Sequence, residues 1–182
     1  MKATGITRKI DELGRIVIPK EIRRTLRIRE GTPLEIFTEK NGEIILRKYS
    51  PMGELIVFAQ QYAESLAQTT GIMVCVTDLE QIIAAAGGAK KDYFGKAISE
   101  KLEQLMEDRS LIQANPGERG YVPVLRETVG EQYAQTISPI ICQGDVIGAV
   151  ILMGKDLKAK MGELEKKLAY CAAGFLGRQM EE

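Results

Sequence analysis

The stretch DELGRIVIPKEIRRTLRI, residues 11–28, decides the fold of the first part of this chain. Glu12-Leu13-Gly14 has the composition of a tight turn. The residues on either side of this turn predict two short strands, at Thr7–Asp11 and Arg15–Ile18. Pro19 then fits the first turn of a helix, where its missing N–H costs nothing. The stretch therefore predicts a hairpin that leads into a short helix.

A second hairpin follows this helix. Lys20–Leu26 predicts about two helical turns, which Gly31-Thr32-Pro33 brings to an end. Leu34–Lys40 and Glu43–Lys48 read as strands. Asn41-Gly42 between them predicts a two-residue type I′ turn, because that dipeptide tolerates positive φ at both positions. The predicted order is strand, strand, helix, strand, strand.

The charge of the chain is unevenly distributed. Over 182 residues, 25 Lys and Arg balance 25 Asp and Glu, and the formal net charge is zero. Residues 1–50 hold twelve of the basic residues and seven of the acidic ones, a net charge of +5 that the remaining residues cancel. Such asymmetry indicates that the basic part contacts nucleic acid or a membrane surface. A solvated charged surface is the alternative.

The first fifty residues carry more apolar surface than two isolated hairpins can bury. A two-stranded hairpin is marginal by itself, and a segment of this size forms a poor core. Pairing with a second copy would bury that surface. We therefore predict an obligate homodimer, with exchanged strands as one form of it. Its apolar residues are Ile6, Ile10, Ile16, Val17, Ile18, Ile22, Leu26, Ile28, Leu34, Ile36, Phe37, Ile44, Ile45 and Leu46.

The segment TGITRKIDELGRIVIPKEIRRTLRIREG, residues 4–31, resembles the AbrB-type swapped-hairpin DNA-binding domain of bacterial transition-state regulators. The match spans about residues 1–50 and includes the following LEIF and EIILRKYSP. The resemblance implies an interleaved dimer that binds double-stranded DNA without a strict consensus. The DNA contacts that it implies are Arg8, Lys9, Arg15, Arg23 and Arg24, and less strongly Lys2, Lys20 and Arg27.

Each of the four arginines has an alternative role in which it pairs with a nearby acid. The candidate partners are Asp11, Glu12 and Glu21. The functional interpretation rests on the residue type, because the guanidinium group suits bidentate contacts with phosphate or guanine. Two-fold symmetry in a dimer would repeat such contacts along a duplex.

A helix is predicted over residues 51–70. Its apolar stripe has heptad-like spacing but covers fewer than three heptads, so the coiled-coil signal is weak. We expect a linking helix between two domains, and packing of the helix on the sheet of its own domain is the alternative. Residues 71–182 then alternate between strands and helices, which predicts an α+β or antiparallel α/β domain.

The segment ISPIICQGDVIGAVILMGKD, residues 137–156, resembles the last strands of a GAF domain. The resemblance implies that residues 71–182 form a GAF-like regulatory domain that binds a small molecule or associates with a second copy. The ligand is unidentified, and no other cofactor is expected. A pocket would lie between the sheet and residues 87–131, with Tyr93, Phe94 and Tyr121 as candidate lining residues. Ordinary packing is the alternative role for these three.

Several chemistries are disfavoured by composition. The chain has no His, which removes His-containing triads and most catalytic zinc sites. Cys75, Cys142 and Cys171 have no zinc-ribbon spacing, so we expect buried thiols in a reducing cytoplasm and no metal site. Gly95-Lys96 lacks the remainder of a P-loop. No signal peptide and no apolar run long enough to span a bilayer are seen, so we expect no membrane contact.

The fold class is therefore predicted as α+β, with a β-rich swapped-hairpin domain at 1–50, a linking helix at 51–70 and a GAF-like domain at 71–182. The two resemblances imply a DNA-binding regulator of sporulation genes, an activator or a repressor, in the bacterial cytoplasm on the nucleoid. We expect a homodimer through the first domain and a homotetramer through GAF and linking-helix contacts. The alternatives are an antitoxin-like or architectural module that binds a partner, and a small-molecule enzyme; we expect no enzyme.

Overall fold

A computed structural model describes residues 5–26, 28–48, 56–88, 90–127, 132–154 and 156–181. The chain divides into two compact units, Met1–Tyr49 and Ser50–Glu182. Within the described ranges, no helix combines the length and the apolar character needed to cross a membrane.

The described residues of the first unit form one short helix and one antiparallel hairpin: α1 (Lys20–Thr25), β1 (Leu34–Thr38) and β2 (Ile44–Lys48). The predicted type I′ turn at Asn41-Gly42 is wrong. Only Gly42 has a positive φ, 83°, and the Glu39 N–H donates to the Glu43 carbonyl at 3.0 Å. The result is a three-residue loop with glycine in the left-handed position, and the side-chain oxygen of Asn41 accepts the Glu43 N–H at 3.3 Å.

The strands predicted at Thr7–Asp11 and Arg15–Ile18 are not strands in the structure. The turn between them is formed, but residues beyond it make no ladder. A strand needs a second backbone to receive its hydrogen bonds, and the described part of the single chain offers none along these arms. The prediction of strands is therefore wrong for one copy of the chain.

The second unit is a five-stranded antiparallel sheet with helices on both faces. Its strand order is β4-β3-β7-β6-β5. Its elements in chain order are α2 (Ile56–Thr70), β3 (Met73–Thr77), β4 (Ile82–Ala86), α3 (Lys90–Tyr93), α4 (Glu100–Glu107), β5 (Ile112–Ala114), β6 (Gln135–Cys142), β7 (Asp145–Met153) and α5 (Glu163–Gln179).

Helices α2 and α5 cover one face of the sheet. Small residues let them approach it closely, and these are Ala59, Ala63, Ala67, Ala169, Ala172, Ala173 and Gly177. Helix α2 thus packs on the sheet of its own unit, which was the alternative to a free linking helix. The start of the predicted helix, residues 51–55, lies outside the described residues.

Helices α3 and α4 and the segment around Val124 cover the opposite face. The Ser99 hydroxyl accepts the Leu102 N–H at 3.1 Å, so Ser99 is the N-cap of α4. The turn between β6 and β7 is the two-residue type with positive φ at both central positions, 49° at Gln143 and 88° at Gly144.

Candidate nucleic-acid interface

The turn at Asp11–Arg15 forms within the described chain and is held by its own first residue. The Asp11 N–H donates to the Arg15 carbonyl at 3.0 Å, and the Gly14 N–H donates to the Asp11 carbonyl at 2.9 Å. Gly14 has a φ of 75°, so this turn has the same three-residue geometry as the turn at 39–43. Asp11 Oδ1 also accepts the N–H groups of Leu13 and Arg15, at 3.0 and 2.8 Å. A single carboxylate oxygen therefore ties the turn together.

The second oxygen of the same carboxylate binds the side chain of Arg15. Arg15 Nε donates to Asp11 Oδ2 at 2.8 Å. The Arg15 backbone N–H and then its side chain lower the pKa of the Asp11 carboxyl below its ordinary value. Pairing with an acid was the alternative role for each arginine, and for Arg15 that pairing is present. The Arg15 side chain is still 70% exposed, so its charge remains at the surface.

Arg8 and Lys9 lie on the arm that enters the turn. Both side chains are exposed. Arg8 Nη1 donates to the Thr7 carbonyl at 3.1 Å, a contact that leaves its charge unneutralised. Among the residues that the structure describes, neither side chain pairs with an acid.

Arg23 and Arg24 lie in the last turn of α1, and both are exposed. The helix is fixed at its start by the Arg23 N–H, which donates to the Pro19 carbonyl at 2.9 Å. Basic side chains near a helix C-terminus also interact favourably with the helix dipole. Glu21 was a candidate partner, but no ion pair between it and either arginine occurs in the described part of the unit.

The structure thus places the five predicted contacts in two exposed groups, one around the 11–15 turn and one on α1. Lys20 is exposed at the start of α1. Lys2 and Arg27, the weaker candidates, lie outside the described residues. The role of these side chains in DNA contact stays a prediction.

The predicted pocket residues of the second unit divide between core and surface. Tyr93 is 8% exposed and belongs to the core on the α4 side, whereas Phe94 is 56% exposed. Phe94 follows the last residue of α3 and does not belong to that buried cluster, and its role as a pocket residue stays a prediction. Tyr121 is half-buried, and burial raises its pKa. Burial, with nearby ionisable groups, raises the pKa of Tyr93 to about 12.

Gln135 was missed by the sequence reasoning. Its side chain is fully buried at the start of β6, and its Nε2 donates to the Val122 carbonyl at 2.9 Å. Its Oε1 has no hydrogen-bond partner among the described residues. A glutamine inside an otherwise apolar strand pattern was the available signal, since a buried amide needs partners for both ends.

Two family models match the chain. One, described as Stage V sporulation protein T C-terminal, transcription factor, matches residues 54–181. The other, described as Antidote-toxin recognition MazE, bacterial antitoxin, matches residues 7–54.

Curated proteins and a solved structure give the same division. Stage V sporulation protein T of Bacillus subtilis (strain 168) is 50% identical over 182 residues, all of this chain and all of that protein. Transition state regulatory protein AbrB of the same organism is 46% identical over 85 residues, which are 46% of this chain and 88% of that protein. The blue-light absorbing form of the Thermosynechococcus elongatus PixJ GAF-domain superposes with a TM-score of 0.58 at 10% identity, over 74% of this chain and 89% of that one. The last match establishes a GAF-like fold for the second unit.

Proposed function

This chain belongs to the stage V sporulation protein T family of transcription factors, and we propose that it regulates sporulation genes by binding double-stranded DNA through its first unit. The contacts we assign are Arg8, Lys9, Arg15, Arg23 and Arg24. The protein would act in the bacterial cytoplasm, on the nucleoid. No catalytic step is part of this function.

The observation that carries the proposal is the exposure of these five basic side chains on a unit of net charge +5. Phosphate contacts by exposed Arg and Lys release counterions from DNA, which supplies affinity that does not depend on sequence. The guanidinium groups can in addition form bidentate contacts with guanine. Such a surface fits a regulator that binds many related sites.

Homodimerisation through the first unit follows from what one copy leaves exposed. Ile10, Ile16 and Val17 on the two arms are 66%, 54% and 71% exposed, and the arms form no ladder within the described chain. Ile36 and Ile44 on the hairpin are each 67% exposed. A second copy that supplied partner strands would bury this surface and satisfy the backbone of the arms.

We assign homotetramer formation to the outer faces of α2 and α5. Val57 and Phe58 on α2 are 65% and 52% exposed, and Leu164 on α5 is 65% exposed. A groove of about 520 Å³ runs between the two helices and is lined by Tyr62, Ser65, Leu66, Thr69, Thr70, Leu164, Glu165 and Leu168. Two first-unit dimers joined in this way would engage DNA at a raised effective concentration.

We assign ligand binding in the second unit to the sheet face that holds Tyr93 and Gln135. A buried Oε1 without a partner costs free energy that a hydrogen-bond donor on a small molecule would recover. The ligand we expect is therefore a small molecule with an N–H or O–H group. Ligand binding regulates the protein only if the ligand prefers one of two states of the assembly.

The second candidate function is an antitoxin-like or architectural module that binds a protein partner. The match of residues 7–54 to an antitoxin family favours it. The match of residues 54–181 to a transcription-factor family favours the regulator, and we retain the regulator as the main proposal.

Fluorescence anisotropy with the full chain and a labelled duplex tests the main proposal. If about 6–8 phosphates are contacted per dimer, the logarithm of the association constant falls against the logarithm of salt concentration with a slope of about −5 to −7. No binding at low salt would favour the partner-binding module, and an affinity that salt leaves unchanged would exclude an electrostatic interface.

A further inference from the structure

We propose that Asp11 is a positioning residue that orients the Arg15 guanidinium for sequence-selective contact with DNA. The inference rests on the proposed contact between Arg15 and DNA. By charge alone, a carboxylate on a DNA-binding surface repels phosphate. The orientation of a neighbouring guanidinium is what this carboxylate contributes instead.

The two carboxylate oxygens have separate tasks. Oδ1 accepts the backbone N–H groups of Leu13 and Arg15, and so closes the turn. Oδ2 accepts Nε of the Arg15 side chain at 2.8 Å. Only the second contact reaches the guanidinium group, so the fold of the turn and the orientation of Arg15 depend on different atoms.

Occupation of Nε fixes which edge of the guanidinium remains available. Arg15 has no other side-chain partner in the described part of the chain, so Nη1 and Nη2 are open on a side chain that is 70% exposed. These two nitrogens form the end-on fork that matches the paired acceptors of a guanine or a phosphate. A side chain already held in place loses less conformational freedom when it binds.

Asp11→Asn separates positioning from turn closure. Asparagine keeps an Oδ1 for the two backbone N–H groups, but its Nδ2 cannot accept Nε–H from Arg15. Asn41 shows in the other turn of this unit that an asparagine side chain accepts a backbone N–H in such a loop. Glu12→Gln is the matched control, because it removes the same charge from the same turn and Glu12 has no described contact with Arg15.

In Asp11→Asn, the loss of charge and the loss of positioning affect different quantities. Loss of a negative charge beside the duplex raises affinity for any DNA. Loss of orientation lowers the discrimination between a preferred and a non-preferred sequence. A good bidentate contact discriminates by about tenfold or more, so we expect Asp11→Asn to reduce that ratio by about tenfold.

The experiment uses the full chain, a duplex selected by the wild-type protein from a random-sequence pool, and an unselected duplex of equal length. Affinity for both is measured by anisotropy, and the thermal midpoint of each variant is recorded. We expect Asp11→Asn to have a selectivity ratio about tenfold lower than wild type. Its thermal midpoint should be unchanged, and it should bind the unselected duplex as tightly as wild type or more tightly. Glu12→Gln should keep the ratio.

Arg15→Lys supplies a second measurement that does not perturb turn closure by Asp11. If the carboxylate acts through the guanidinium, Arg15→Lys reduces the selectivity ratio by a similar factor. The selectivity ratio of the double variant Asp11→Asn/Arg15→Lys is then no lower than that of either single variant. Additive losses, or an Asp11→Asn ratio within twofold of wild type, would overturn the inference. Arg15→Ala with unchanged affinity and ratio would instead remove the proposed contact of Arg15 with DNA, and the inference with it.

Discussion

The ring of Tyr62 on α2 stacks on the ring of Phe175 on α5, with centroids 5.1 Å apart and planes inclined by 14°. This contact joins the two helices that cover one face of the sheet, and both rings pack against the core cluster that contains the buried alanines of these helices. Stacked aromatic pairs contribute about 0.5–1.5 kcal/mol beyond the area that they bury. The pair therefore connects α2 to the rest of its unit.

Phe175→Ala should lower the free energy of unfolding by about 2–3 kcal/mol, somewhat below the value for a fully buried phenylalanine because this ring is half-buried. Urea unfolding of the full chain, followed by circular dichroism, measures the change. Tyr62→Phe is the control, since it keeps both rings and should change stability by less than about 0.5 kcal/mol. If both variants lose the same free energy of unfolding, the stabilisation comes from the Tyr62 hydroxyl and not from the stacking of the rings.

Two glycines of α5 provide a matched pair of substitutions. A Cβ at Gly177 would clash with the Ile141 carbonyl oxygen, whereas a Cβ at Gly174 meets nothing nearer than Arg178 Nη1 at 3.9 Å. Gly177→Ala should therefore destabilise the unit by about 1–3 kcal/mol, because the helix must move off the sheet. Gly174→Ala should stabilise it by about 0.5–1 kcal/mol through helix propensity.

Thermal unfolding of the two alanine variants beside the wild type decides between these effects. If both variants gain stability, the approach of α5 to Ile141 is looser than described.

Cys75 should resist thiol reagents in the folded protein. Its side chain is fully buried, and burial raises its pKa to about 12. At pH 8 only about one thiol in ten thousand would then be ionised, and the thiolate is the reactive form. A chromogenic disulfide reagent should leave one thiol per chain unreacted until guanidinium is added. Cys75→Ala should abolish that protected thiol, and Cys171→Ala should retain it.

Dimerisation through the first unit predicts a strong effect of charge on its apolar arm. Val17→Lys places an ammonium group on a side chain that is 71% exposed in one copy and would be buried between two. A buried unpaired charge is costly, so the variant should lose the assembly and much of the fold of the first unit. Sedimentation velocity and circular dichroism measure both. Leu79→Lys, in a turn of the second unit where Leu79 is 51% exposed, should leave the assembly unchanged.

Much of the second unit was readable from sequence because its signals are local. Ser99 precedes α4 as a capping residue, and the strands β6 and β7 are rich in apolar residues on either side of Gln143-Gly144. The division of the chain into a basic first part and an acidic second part needed only a count of charges.

The misses in the first unit have a common physical cause. Turn type depends on both sides of the turn: Asn41 uses its side chain to accept a backbone N–H rather than adopting a positive φ. A strand along residues 7–11 or 15–18 would need a neighbouring backbone to hydrogen-bond with, and the described part of one chain supplies none. In the second unit, the buried Oε1 of Gln135 depends on three-dimensional packing that no sequence spacing reveals.

The assignment of Arg23 and Arg24 to DNA contact gives the most direct test of function. Both are exposed and lack acidic partners among the described residues, so their removal should leave the fold intact. Arg23→Ala/Arg24→Ala should weaken binding to any duplex by about tenfold or more, and flatten the salt dependence by up to about 3–4 units of slope per dimer. Lys40→Ala removes an exposed charge from the other turn of the same unit and should change neither quantity appreciably. Weaker binding together with a lower thermal midpoint would assign the two arginines a structural role instead.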